Sequence, residues 1–108
     1  MKILLDTHIF LWYITGDERL LPPILPIIRD PPNEVYLSVI SVWEIIIKCQ
    51  LGKLLLPQSP DIYLLQQRQK HGIESLGLDE NSVANLVKLP PLHKDPFDRM
   101  LLCQALRY

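Results

Sequence analysis

Three carboxylates stand where chemistry is to be expected: Asp6, Glu44 and Asp98. Asp6 follows directly on the apolar run Ile3-Leu4-Leu5. In open α/β sheets ligands bind at the carboxyl ends of the strands, so an acid just past a buried strand is well placed to meet one. The same position suits a helix cap, in which the side-chain oxygen accepts from a backbone N–H of the next turn. Glu44 lies soon after a second apolar stretch. On a helical wheel Val42, Ile45, Ile46 and Cys49 share one face, Trp43 and Ile47 form a second apolar patch, and Ser41, Glu44 and Lys48 fill the remaining polar stripe. Two structural roles compete for Glu44. Ser41-x-x-Glu44 matches a capping box, and Lys48 stands at i+4, the spacing of an ion pair. Asp98 heads a stripe continued by Leu101, Leu102 and Ala105, which should face the sheet. A carboxylate there needs a partner, although a first-turn acid is also favoured by the helix dipole. Asp95-Pro96 reads as a cap followed by proline at the first helical position, which leaves Asp95 at most a supporting role.

Each acid alone is ordinary. Three acids at strand ends or helix starts would converge in one crevice and repel one another, raising each other's pKa unless a cation neutralises them. Hard divalent ions take oxygen ligands and retain waters, so Mg²⁺ or Mn²⁺ is the natural partner. A bound ion of this kind activates water and offsets charge on a phosphate. Thr7, Ser41 and Arg99 stand close to these acids in sequence and are candidates for a supporting or substrate-binding role. Arg99 and Lys48 either bind phosphate or pair with carboxylates, and pairing is the favoured reading. His8, His71 and His93 show no metal-ligand spacing to a cysteine. No G-x-S-x-G elbow, P-loop or G-x-G-x-x-G occurs.

The elements that must position these acids alternate between strand and helix. A continuous apolar run over 3–5 predicts a strand buried on both faces, as in a parallel sheet. A helix should begin at Thr7 or His8 and end before Gly16. The stretch 20–32 contains Pro22, Pro23, Pro26, Pro31 and Pro32, and Pro26 limits any helix there. Strands are expected at 35–39 and 73–78. Helices are expected at 41–51, closed by Gly52, at 61–70, stopped by His71-Gly72, at 79–89, stopped by Pro90-Pro91, and at 96–108. Strands separated by helices predict an α/β fold with a parallel sheet.

The 108 residues suit one domain, and a hydrophobic content of 48% supports a packed core. Eleven basic against twelve acidic residues give a formal net charge of -1, which is not the footprint of a non-specific nucleic-acid binder. Any contacts to RNA must therefore be local. Cys49 and Cys103 lack C-x-x-C spacing and sit in apolar helical patterns, as small hydrophobes do in a reducing compartment. The apolar run after Lys2 is broken at Asp6, and no run approaches a membrane span, so the chain reads as soluble and cytoplasmic.

The segments Leu5-Asp6-Thr7-His8 with Leu11-Trp12, Ser38-Val39-Ile40-Ser41-Val42-Trp43-Glu44-Ile45 with Lys48, Leu51-Gly52-Lys53-Leu54, and His93-Lys94-Asp95-Pro96-Phe97-Asp98-Arg99-Met100-Leu101 occur in that order. Taken together they resemble PIN-domain proteins, most of all the VapC-type toxins of bacterial toxin–antitoxin pairs, over nearly the whole chain. The resemblance implies a three-layer α/β/α sandwich with a parallel sheet and an endoribonuclease dependent on Mg²⁺ or Mn²⁺. It also implies an antitoxin that blocks the site, and a homodimer. Position by position, Asp6, Glu44 and Asp98 match the family's core acids, and Thr7 matches the small hydroxyl residue beside the first acid. The family usually adds a fourth acidic or polar ligand after a later strand. This chain stops at Tyr108, before that strand, so the domain is expected to lack one or more C-terminal strands and to be prone to aggregation.

Two rival functions remain open to the sequence. One is a PIN-like binding module with impaired catalysis, which Mn²⁺ binding and RNA cleavage would separate from an active nuclease. The other is a phosphoacceptor regulatory domain, which needs an Asp at the end of its central third strand. Here the third-strand candidate comes late and no acid pair precedes it near Leu5, which disfavours that reading.

Overall fold

The computed structural model describes residues 1–20, 22–88 and 99–100. The opening apolar run forms β1 (Lys2–Leu4), and the chain turns at once into α1 (Thr7–Thr15). Asp6 caps α1 by accepting the backbone N–H of His8 at 2.8 Å. The helix ends as expected at Gly16, whose φ of 67° is left-handed. The N–H groups of Gly16 and Asp17 turn back to the carbonyls of Tyr13 and Trp12, a pair of bonds that needs a left-handed residue between them.

In the proline-rich stretch, α2 (Ile24–Arg29) forms after all. Pro26 falls in its first turn, where a backbone N–H has no intrahelical partner to lose. The next strand, β2 (Glu34–Ser38), ends one residue sooner than expected, and α3 (Val39–Gln50) starts two residues sooner. The reason is Ser38, whose hydroxyl accepts the N–H of Ile40 at 3.0 Å and so caps α3. Val39 and Ile40 are β-branched and favour strands. Burial of Ile40, 4% exposed, overrides that weak preference. Gly52, at φ 71°, closes α3 as expected.

α4 (Pro60–Lys70) stops at His71-Gly72 and leads into β3 (Glu74–Leu76). Instead of one helix over 79–89 there is α5 (Glu80–Ala84) followed by a 3₁₀ turn (Asn85–Lys88). The N–H of Asn85 bonds to the carbonyl of Ser82, three residues back, which is the tighter 3₁₀ pattern. The expected helix 96–108 lies outside the described residues except for Arg99 and Met100, which are helical.

The described strands form one parallel sheet in the order β1-β2-β3, with Ile3 beside Val35 and Leu37 beside Ser75. Leu5 prolongs the ladder past β1 by donating to the Tyr36 carbonyl at 2.9 Å. This is the α/β architecture expected from the alternation of elements. The core joins Leu5, Phe10, Val35, Leu37, Ile45, Leu64 and Ile73 with Ile28. Cys49 packs against it as a free thiol, in the hydrophobe's role expected of it. Among the described residues no helix is long and apolar enough to cross a membrane.

Among the described residues one buried side-chain group is unsatisfied. Ser82 is 0% exposed, and its hydroxyl has no partner among the described residues. A buried hydroxyl without a hydrogen bond costs about 1–3 kcal/mol, and alanine nearly matches its volume. Ser82→Ala should therefore raise stability by about 1 kcal/mol, read as a higher denaturant midpoint at unchanged slope. A lower midpoint would show that water or another group satisfies the hydroxyl in solution.

Candidate active site

Helices α1 and α3 both start at the carboxyl ends of neighbouring strands, β1 and β2. That arrangement brings their first turns together. Thr7, the first residue of α1, is 2% exposed, and its Oγ1 lies 2.9 Å from Glu44 Oε1 and 2.8 Å from Ser41 Oγ. A hydroxyl carries one proton. When Thr7 donates it to the Glu44 carboxylate, the Thr7 oxygen is left to accept from Ser41. The result is a directed chain from Ser41 through Thr7 to Glu44.

Glu44 is itself buried, at 4% exposure, and Lys48 Nζ lies 2.8 Å from its Oε2. Both carboxylate oxygens therefore have partners. The polar stripe of α3 is turned inward against α1, whereas Trp43 on the expected apolar patch is 56% exposed. Of the face predicted to be apolar, Ile45 is fully buried while Val42, Ile46 and Cys49 are only half-buried. The helical wheel gave the period of α3 correctly but not the direction in which its polar strip faces.

One sequence-based reading of this helix is corrected. Ser41 and Glu44 do not form a capping box, because the cap is Ser38 and Ser41 lies inside the helix with its hydroxyl on Thr7. The i,i+4 pairing of Glu44 with Lys48, the favoured reading of Lys48 from the sequence, is made. The i+4 spacing was the signal that assigned Lys48 to this carboxylate.

Asp6 is arranged differently. Its side chain is about half exposed, and Oδ1 takes the His8 N–H while the His8 ring nitrogen stands 3.6 Å away. Its second oxygen has no partner among the described residues. The cap and a ligand role are therefore compatible, because capping uses one oxygen and leaves the other open. His8 in turn leans on Trp12, with ring centroids 6.1 Å apart. Asp95 and Asp98 lie outside the described residues, and Arg99 is half-buried. Among the described residues no three acidic, histidine or cysteine side chains gather closely enough to hold a metal ion.

The chain matches the family model of the PIN domain over residues 3–108. It belongs to the PIN-domain family. A search of curated proteins found no match. PIN domains are generally nucleases that act on RNA, and they typically use divalent metal ions. The donors present suit such an ion in kind: they are carboxylates and hydroxyls, hard oxygen donors throughout. With both oxygens of Glu44 taken, by Thr7 and Lys48, Asp6 is the acid of these two with an oxygen left open among the described residues.

Proposed function

We propose that this PIN domain is an endoribonuclease dependent on Mg²⁺ or Mn²⁺ and the toxin of a toxin–antitoxin pair. Asp6, Glu44 and Asp98 serve as cation ligands and catalytic acids. The observation that carries the reading is the buried carboxylate of Glu44, in the second turn of α3, held by Thr7 from the first turn of α1, where the two helices start at adjacent strand ends. Burying a carboxylate is costly, and a helix start next to a strand's carboxyl end is where α/β folds bind ligands. A divalent cation bound there lowers the pKa of a bound water and offsets negative charge on the scissile phosphate. Thr7 and Ser41 fix the orientation of Glu44, and Asp6 offers an open oxygen beside them. Asp98, which lies outside the described residues, is the third acid of the reading, with Asp95 and Arg99 in supporting or phosphate-binding roles. The toxin assignment, the homodimer, the cytoplasmic location and the antitoxin that covers the site rest on the sequence resemblance.

The test is cleavage of single-stranded RNA with Mn²⁺, silenced by a chelator. Mn²⁺ should also raise the melting temperature by binding the folded state, and Asp6→Asn and Asp98→Asn should lose both effects. An equal thermal shift in wild type and both variants would place the ion elsewhere. The pairing of Glu44 with Lys48 favours a second reading, a binding module of PIN type that holds RNA without cutting it. RNA bound but left intact in saturating Mn²⁺ would select that reading.

A further inference from the structure

Lys48 and Thr7 hold opposite oxygens of the Glu44 carboxylate, and they differ in one respect. Thr7 is fully buried, while the Lys48 side chain is 35% exposed. Thr7 cannot leave Glu44 without α1 moving. Lys48 can, because its ammonium sits at the end of a flexible four-carbon stem with a route to water. The Glu44 side chain is only 6% exposed, so its charge needs a partner close by, and Lys48 at 2.8 Å supplies it.

Resting on the nuclease reading, we propose that Lys48 is an internal counter-cation that competes with the divalent ion for Glu44. In the cation-free protein it neutralises the carboxylate and keeps the site together. A divalent ion that takes Oε2 meets an ammonium already in contact with that oxygen. Like charges at contact distance in a poorly hydrated place repel strongly. The ion therefore binds at the expense of the pair, and Lys48 swings out to solvent. The pair so sets a threshold: below a certain divalent-ion concentration Glu44 stays locked to Lys48. Linkage makes the coupling reciprocal, so the pair weakens cation binding by the factor by which the cation weakens the pair.

The experiment titrates Mn²⁺ into the full chain by calorimetry and records thermal melts in chelator and in Mn²⁺. It compares wild type, Lys48→Met, Lys48→Gln, Lys48→Arg, Glu44→Gln and the Lys48→Met/Glu44→Gln double variant. Lys48→Gln keeps a donor for Oε2 without the charge, and so guards against a Lys48→Met chain that fails to fold. Lys48→Met and Lys48→Gln should bind Mn²⁺ about tenfold more tightly than wild type, within the usual range of site–site coupling. They should also melt lower in chelator and recover more on adding Mn²⁺. Lys48→Arg should behave as wild type. In the Glu44→Gln background the Lys48→Met change should no longer alter affinity, because the competition acts through that carboxylate. If wild type binds Mn²⁺ and the two charge-removing variants bind no more tightly, Lys48 does not compete and the proposal is overturned while the metal reading stands. If neither wild type nor these variants bind Mn²⁺, the metal reading fails and the competition falls with it.

Discussion

Glu44→Gln should lower Mn²⁺-dependent RNA cleavage by at least about 100-fold while the chain stays folded. Groups that merely orient a metal ligand typically cost 10–100-fold when removed, so a ligand itself should cost no less. The amide keeps the shape of the side chain, and its carbonyl oxygen can still accept from Thr7, now 2.9 Å from Oε1. What is lost is the charge. Lys48 is left without its carboxylate, but with a third of its side chain exposed it relaxes into water rather than staying buried and unpaired. Glu44→Ala is a harsher change, because it also strips Thr7 of its acceptor inside a closed contact. A Glu44→Gln protein that cuts RNA as fast as wild type would reduce Glu44 to a structural post between Thr7 and Lys48. A variant that loses activity together with its cooperative melt would leave Glu44 a folding residue first. The expected result is loss of cleavage with the melt retained.

How much of this site the sequence disclosed depends on how local each signal is. α1 was legible at both ends because Asp6 and Gly16 are punctuation that acts within a turn. The start of α3 was not, because Ser38 and Ser41 are both competent caps three residues apart, and the β-branched pair between them reads as strand. The Lys48 partner of Glu44 was legible for the opposite reason, since i,i+4 geometry is fixed by the helix itself. The inward turn of the Ser41-Glu44-Lys48 stripe had no local signal. Its cause is Thr7, 37 residues from Glu44 in the chain, and periodicity cannot say which neighbour a polar face meets. The parallel sheet followed from the order of elements, because parallel strands require crossovers and helices were present to supply them. Asp98, read from the apolar stripe it heads, lies outside the described residues.

The largest loss of stability should come from Phe10→Ala. Phe10 is 0% exposed and belongs to the core that β1, β2, α3 and α4 share with α1. Phenylalanine-to-alanine changes at such sites cost about 3–5 kcal/mol, because the cavity adds to the lost transfer energy. A domain has only about 5–15 kcal/mol in total. For a chain of this length that is a fall of roughly 10–30 °C in melting temperature. Ile62→Ala on α4, at a side chain 50% exposed, is the control and should stay within about 0.5 kcal/mol of wild type. Phe10→Leu, which keeps most of the volume, should fall between them. The consequence reaches the site because Phe10 lies one helical turn after Thr7, so both point from the same face of α1. Phe10 also donates its backbone N–H to the Asp6 carbonyl at 3.0 Å, within the turn that sets the cap. Loosening Phe10 frees the turn that holds the Thr7 hydroxyl against Glu44. Phe10→Leu should therefore lose cleavage out of proportion to its stability at a temperature where it is still fully folded. If Phe10→Ala melts no lower than Ile62→Ala, α1 does not pack on the sheet as described. If Phe10→Leu cuts RNA at the wild-type rate while destabilised, the packing beneath Thr7 holds the fold without aligning the carboxylate.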